Sequence, residues 1–211
     1  IKTLPKNTFT KDHYDFKGWS SFPSNHNVIY VDEDVVKVNH PEVIGGNTLN
    51  LYAVWDIQKY TVEFINGNET ITQTIEYGST VQLPEATNKV GYTFTGWYTE
   101  SGQQWQEETI VDQNTKLYAK YEPITYSIEF DGNGADNGNA MDSSKLDVKY
   151  NEQATLPENL FTKKYHTFKG WSTTPNGEVA FIDQANVYEL AFNQGDVVRL
   201  YAVWERNQVE V

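Results

Sequence analysis

Tyr92-Thr93-Phe94-Thr95-Gly96-Trp97-Tyr98 decides how this chain of 211 residues is read, because the stretch comes three times. Its other copies are Tyr14-Asp15-Phe16-Lys17-Gly18-Trp19-Ser20 and His166-Thr167-Phe168-Lys169-Gly170-Trp171-Ser172. Upstream of each stands a Leu-Pro pair: Leu4-Pro5, Leu83-Pro84 and Leu156-Pro157. Downstream comes a second aromatic block: Leu51-Tyr52-Ala53-Val54-Trp55, Leu117-Tyr118-Ala119-Lys120-Tyr121 and Leu200-Tyr201-Ala202-Val203-Trp204. The Gly-Trp pairs recur at intervals of roughly 75 residues, too long for the 20–45-residue turns of a solenoid. A unit of that size can just support a core of its own. The chain is therefore read as beads on a string.

Working outward sets the module boundaries. Tyr60-Thr61-Val62-Glu63-Phe64 and Tyr126-Ser127-Ile128-Glu129-Phe130 alternate apolar with polar residues, the period of a strand with one wet face. Second strands follow over 70–77, ending at Gly78, and over 145–150, ending at Asn151. The first copy has only Ile1-Lys2-Thr3 ahead of its Leu-Pro pair, so it lacks these opening strands. The expected division is a truncated repeat over 1–55, a short repeat over 56–122, a long repeat over 123–205, and a linker or the start of a further repeat over 206–211. Val209-Glu210-Val211 has the pattern of another opening strand. A first repeat without its opening strands is expected to expose a sheet edge and to be open to strand exchange. Copies one and three carry long inserts, Phe22 to Asn50 and Thr174 to Arg199, before their last strand.

The residues predict a mainly β or α+β chain. Tyr92 to Tyr98 is a strand in which Gly96 permits a bulge or a close backbone approach. The Leu-Pro stretches, such as Pro84-Glu85-Ala86-Thr87-Asn88-Lys89, have room for one helical turn, since proline is accepted at a helix start. Fourteen Tyr, 10 Phe and 6 Trp suit pleated, half-buried surfaces. In so small a sheet, each buried Trp or Tyr contributes about 4–6 kcal/mol gross. Trp19, Trp97 and Trp171 are accordingly read as core rather than as a row of rings for sugars. Trp105, present in copy two alone, is read as a surface or inter-module residue.

Several chemistries are excluded or disfavoured. A net charge of −13 opposes binding to a nucleic-acid backbone or an anionic membrane surface, and it favours solubility. No 18-residue apolar run is present, so no direct membrane insertion is expected. With no cysteine there is no disulfide, thiol nucleophile or thiolate metal site. His13, His26, His40 and His166 lack zinc spacing, and no Gly-x-Ser-x-Gly, P-loop or Rossmann motif occurs. Acid runs such as Asp32-Glu33-Asp34 and Glu107-Glu108 read as solvated loop charge rather than paired glycosidase acids. Asp131, Asn133 and Asp136 are calcium candidates, because hard oxygen ligands at alternate positions open calcium loops. Against this, the fifth position is Ala135 and the twelfth is Asp142, so the plainer reading is a Gly/Asn-rich turn. Leu4-Pro5-Lys6-Asn7-Thr8 superficially has the form of a sorting signal, but Leu156-Pro157-Glu158-Asn159 repeats it inside copy three.

Together the ordered blocks resemble the Listeria–Bacteroides repeat, also called the internalin B-type repeat, over essentially the whole chain. The residues that carry the likeness are Gly18, Trp19, Tyr52, Trp55, Gly96, Trp97, Tyr118, Gly170, Trp171, Tyr201 and Trp204. The resemblance implies tandem β-grasp (ubiquitin-like) modules in a secreted or wall-anchored bacterial protein. It also implies a non-catalytic role as spacer or adhesin, with no cofactor. Three modules in line would reach on the order of 90 Å. The alternative role is binding a host surface protein or glycan through the long inserts of copies one and three, since loops on a rigid scaffold carry function.

Overall fold

A computed structural model describes residues 1–24, 26–37, 48–142 and 144–208. His40, Val209, Glu210 and Val211 lie outside the described residues, as does part of the first insert. Among the described residues the chain is built of β-strands, with one four-residue helix. It divides into two compact units, Ile1–Pro84 with Tyr98–Tyr118 and Glu85–Trp97 with Ala119–Val211.

Module three is complete. Its strands are β9 (Thr125–Asp131), β10 (Lys145–Lys149), β11 (Ala154–Thr155), β12 (His166–Ser172), β13 (Asn186–Val187) and β14 (Val197–Arg206). The main sheet runs β10-β9-β14-β12, and the short pair β11-β13 lies beside it. First and last strands are parallel at the sheet's centre, with Ile128 opposite Val198 and Phe130 opposite Leu200, while the outer pairs are antiparallel. The alternation seen in β9 becomes burial: Tyr126, Ile128 and Phe130 are at most 2% exposed. They join Val148, Leu156, Phe161, Trp171, Leu200 and Ala202 in one apolar cluster.

Module two repeats this plan with β5 (Lys59–Asn66), β6 (Glu69–Glu76), β7 (Tyr92–Tyr98) and β8 (Thr115–Pro123) in the order β6-β5-β8-β7. Here β5 and β8 are the parallel pair, with Phe64 opposite Leu117. Among its described residues, module one holds β1 (Lys2–Thr3), β2 (Tyr14–Ser20), β3 (Val35–Val36) and β4 (Tyr52–Ile57), paired as β1-β3 and β2-β4. Among the described residues, nothing occupies the side of β4 that the parallel first strand takes in the other modules.

The expected helical turn after Leu83-Pro84 is not formed: residues 82–89 have no regular structure. Helix α1 (Asn139–Asp142) sits instead in the loop between β9 and β10. The reason is that side chains satisfy this backbone. Tyr121 Oη donates to the Thr87 carbonyl at 2.8 Å. In modules one and three an asparagine does the same work. Asn7 and Asn159 fold back on Phe9 and Phe161, each side chain donating to that residue's carbonyl and accepting from its N–H at 2.9–3.1 Å. Such local bonds compete with helix.

Candidate functional site

The Phe-x-Gly-Trp motif depends on a bulge. Side chains alternate along a strand, so residues three apart should face opposite sides. Between Phe168 and Gly170 the register against β14 slips by one residue, and the same slip occurs between Phe16 and Gly18 against β4. The extra residue turns Phe and Trp onto one face. Phe168 and Trp171 then meet edge-to-face at 5.0 Å, Phe16 and Trp19 at 5.1 Å, and Phe94 and Trp97 at 5.6 Å. Each Phe also meets the aromatic residue closing the last strand: Trp204 at 5.7 Å, Trp55 at 5.6 Å and Tyr121 at 5.5 Å. Glycine is required beside the Trp because the insert crosses there. A Cβ at Gly170 would lie 2.5 Å from the Phe181 carbonyl oxygen, and one at Gly18 would lie 2.6 Å from that of Tyr30.

Trp171, Trp97 and Trp19 are 0, 2 and 9% exposed, too enclosed to stack on a sugar. The other block divides differently. Leu200, Ala202 and Leu117 are fully buried, whereas Tyr52 is exposed and Tyr118 and Tyr201 are half-buried. Alternation places the Leu and Ala inside and the Tyr on the opposite face. Sequence reasoning gave weight to the rings and missed the small residues between them. Trp105 is half-buried, and it directly precedes a turn (Thr109 N–H to the Gln106 carbonyl) equivalent to those after Tyr30 and Phe181. It is module two's version of those residues, not a separate surface feature.

The Leu-Pro-x-Asn motif is tied to the inserts. Asp32 accepts from Asn7 N–H at 2.9 Å and from Trp19 Nε1 at 3.1 Å. Asp183 accepts from Asn159 N–H at 2.9 Å. Bridges Trp19–Tyr30 and Trp171–Phe181, with the β1-β3 and β11-β13 pairs, stitch the described parts of both inserts to the modules.

The junctions between modules carry a second repeated pattern. His13, Gly91 and Tyr165 each precede the aromatic strand and have φ values of 63°, 75° and 60°. Each lies in a turn closed by the next residue's N–H: Tyr14 to Lys11, Tyr92 to Lys89 and His166 to Lys163. Positive φ at the third position is the type II pattern. The carbonyls of His13 and Gly91 accept from Gln58 and Ile124 N–H, both at 2.9 Å. The carbonyls of Gln58 and Ile124 in turn accept from Tyr77 and Tyr150 N–H at 2.8 Å. A single residue thus bonds backward and forward at both junctions. Rings fill the rest. His13 lies flat on Tyr77 (3.5 Å between centroids, 7° between planes), and Tyr150 packs edge-on to Tyr92 at 5.6 Å. Burial, with Glu189 nearby, pushes the Tyr150 hydroxyl above its ordinary pKa. Each junction lies within one compact unit.

The Listeria-Bacteroides repeat domain matches residues 60–120 and 126–203. The chain belongs to that repeat family. It is 31% identical, along its whole length, to 23% of a protein from Evansella cellulosilytica provisionally named a Gly-rich membrane protein. A second protein of that organism, provisionally named a membrane protein, is 30% identical over 76% of this chain and 24% of its own length. Internalin H of Listeria monocytogenes is 29% identical over 61% of this chain and 24% of its own. The chain thus spans about a quarter of the length of these relatives.

In this Listeria–Bacteroides repeat chain the remaining polar groups serve the fold. Asp131 accepts from Asn133 N–H at 2.8 Å, and Asp136 accepts from Lys164 N–H. Asn133 spends its amide on the Pro175 and Ala202 carbonyls at 2.7 and 2.9 Å. The three calcium candidates therefore point at different backbone partners, and no group of metal-binding side chains forms among the described residues. His13 is part of the first junction, and His166 Nδ1 contacts the Lys164 carbonyl at 2.8 Å. The clearest charge cluster is Glu129, between Arg199 at 2.8 Å and Lys145 at 2.6 Å on the two neighbouring strands. Those bonds, Arg199 first, hold its carboxyl below the usual carboxylate range.

Proposed function

We propose that this chain is a non-enzymatic, extracellular spacer of a bacterial surface protein, built of β-grasp modules and presenting another domain away from the envelope. The observation that carries the reading is the one-residue junction. Gln58 and Ile124 are each bonded through N–H to the module before and through C=O to the turn after. A linker held at both ends, with rings packed beside it, transmits orientation; a Gly/Ser-type linker would not. Mixed sheets with first and last strands parallel at the centre support the β-grasp assignment. Relatives provisionally named as membrane proteins, and an internalin, support the surface location.

The test is small-angle X-ray scattering on the whole chain beside a variant with Gly-Gly-Ser inserted after Gln58 and after Ile124. A spacer gives a stiff profile that the insertions loosen. Identical, flexible profiles for both proteins would overturn it.

Adhesion is the second reading, favoured by exposed apolar side chains on the inserts: Phe22, Val31 and Val35 in module one, Ile182 and Phe192 in module three. Retention on a glycan array or a host extracellular protein, lost on Phe22→Ser with Ile182→Ser, would support it.

A further inference from the structure

We infer that β6 of module two is a docking edge, and that its occupant is β6 of a second copy of this chain, the two joined about a twofold axis into one continuous sheet. The claim goes beyond the spacer reading and does not rest on it, because it concerns a single strand of a complete module.

β6 ends the order β6-β5-β8-β7, and among the described residues no strand lies beyond it. A free edge of this kind pairs with other chains unless something blunts it. In module three the same place is held by β10, which is only five residues long and charged at Lys145, Asp147 and Lys149. At the opposite edge of that module, β12 has its bulge and a bridge from Trp171 to Phe181. β6 has none of these guards. It runs Glu69-Thr70-Ile71-Thr72-Gln73-Thr74-Ile75-Glu76, and its register with β5 is unbroken at all eight positions. The residues between the two glutamates are uncharged and include neither proline nor glycine. Ile71 among them is 48% exposed.

Backbone parity fixes which groups the edge offers. Tyr77 N–H donates to the Gln58 carbonyl, so the odd-numbered residues of this strand turn their N–H and C=O toward β5. The N–H and C=O groups of Thr70, Thr72 and Thr74 point away from it. Even positions must therefore meet even positions of the added strand. Antiparallel pairing centred on Gln73 does this. Thr72 then faces Thr74 of the second copy, Thr70 faces Glu76, Ile71 faces Ile75, and Glu69 faces Tyr77. Apolar side chains meet, hydroxyls meet, and no two carboxylates stand opposite each other. A slide of two residues sets Ile75 against Glu69 instead. The nearest other charges are already matched, Glu76 with Lys59 and Glu63 with Lys116. A contact in which a strand meets its own copy closes at two chains rather than growing into a fibre. The net charge of −13 opposes approach at long range, so added salt should strengthen the pairing.

Sedimentation of the full chain over a concentration series tests this. The expected result is a monomer–dimer equilibrium, with a doubling of mass, that salt shifts toward the dimer. Thr72→Pro removes an N–H that faces away from β5, a change that an edge strand tolerates, and it should abolish the dimer. Because the chain has no cysteine, Gln73→Cys supplies one thiol that stands opposite itself across the axis. Its Cα separation there is about 4.5 Å, which a disulfide can span. With oxidised glutathione it should link two chains, whereas Thr70→Cys, which faces Glu76, should not. Circular dichroism checks that each variant is folded. A monomer at every concentration and salt level overturns the inference, and so does a dimer that survives Thr72→Pro. Equal cross-linking at the two cysteines overturns the register.

Discussion

Gly170→Ala compared with Gly195→Ala separates two costs that the sequence cannot distinguish. Both glycines belong to module three and both have positive φ, 143° and 79°. An alanine at Gly195 meets nothing within 4 Å. Its cost is left-handed strain of about 1–2 kcal/mol, partly offset by about 0.4–1 kcal/mol from a less mobile unfolded chain. At Gly170 the new methyl meets the Phe181 carbonyl oxygen at 2.5 Å and Val179 Cγ1 at 2.6 Å. Strain then combines with overpacking of about 1–3 kcal/mol, a total of about 2–5 kcal/mol. A module of this size has roughly 4–12 kcal/mol in all. Native-state hydrogen exchange of the β9 and β14 amides reads module three alone within the full chain. Gly195→Ala should speed their exchange by no more than about fifteenfold, and Gly170→Ala by roughly thirtyfold to a few thousandfold. Equal effects at the two sites would refute the claim that the insert presses on the bulge.

Other outcomes follow from the same structure. Glu129 has a folded pKa below its ordinary 4.5, so its contribution is complete above that value and is lost as pH falls through the folded pKa. Glu129→Gln should therefore lower stability at neutral pH and flatten the acid limb of a urea-midpoint profile below about pH 4.5; an unchanged acid limb would exclude Glu129 as its source. Asp183→Ala should cost module three about 1.5–3 kcal/mol in chemical denaturation, since it removes a charged acceptor from Asn159 N–H. Because that bond is to backbone, Asn159→Ala should add to it with a coupling of no more than about 0.5 kcal/mol. Leu200→Ala, at a fully buried position, should cost about 2–5 kcal/mol; a smaller loss would mean that the parallel strand pair can collapse around the gap.

Much was legible in the chain because a repeat displays its own constraints. Alternation in Tyr126-Ser127-Ile128-Glu129-Phe130 and the strand Tyr92–Tyr98 both depend on local period and order. The same signals identified the family. Proline, by contrast, was a poor guide to helix: Asn7, Asn159 and Tyr121 consume the backbone groups that a helical turn would need. No period in the sequence announces side-chain bonds of that kind.

The order and chemistry of the aromatic blocks, the strand pattern and the tandem plan were set by the linear sequence, because each arises from neighbours along the chain. Only the tertiary structure decided that Leu200 and Ala202 outrank Tyr201 in the core, that a bulge brings Phe168 and Trp171 together, and that Gln58 and Ile124 are bonded on both sides. Those outcomes depend on residues about 10 to 70 positions apart meeting through backbone register and close approach. A chain read one residue at a time does not contain that geometry until it is folded.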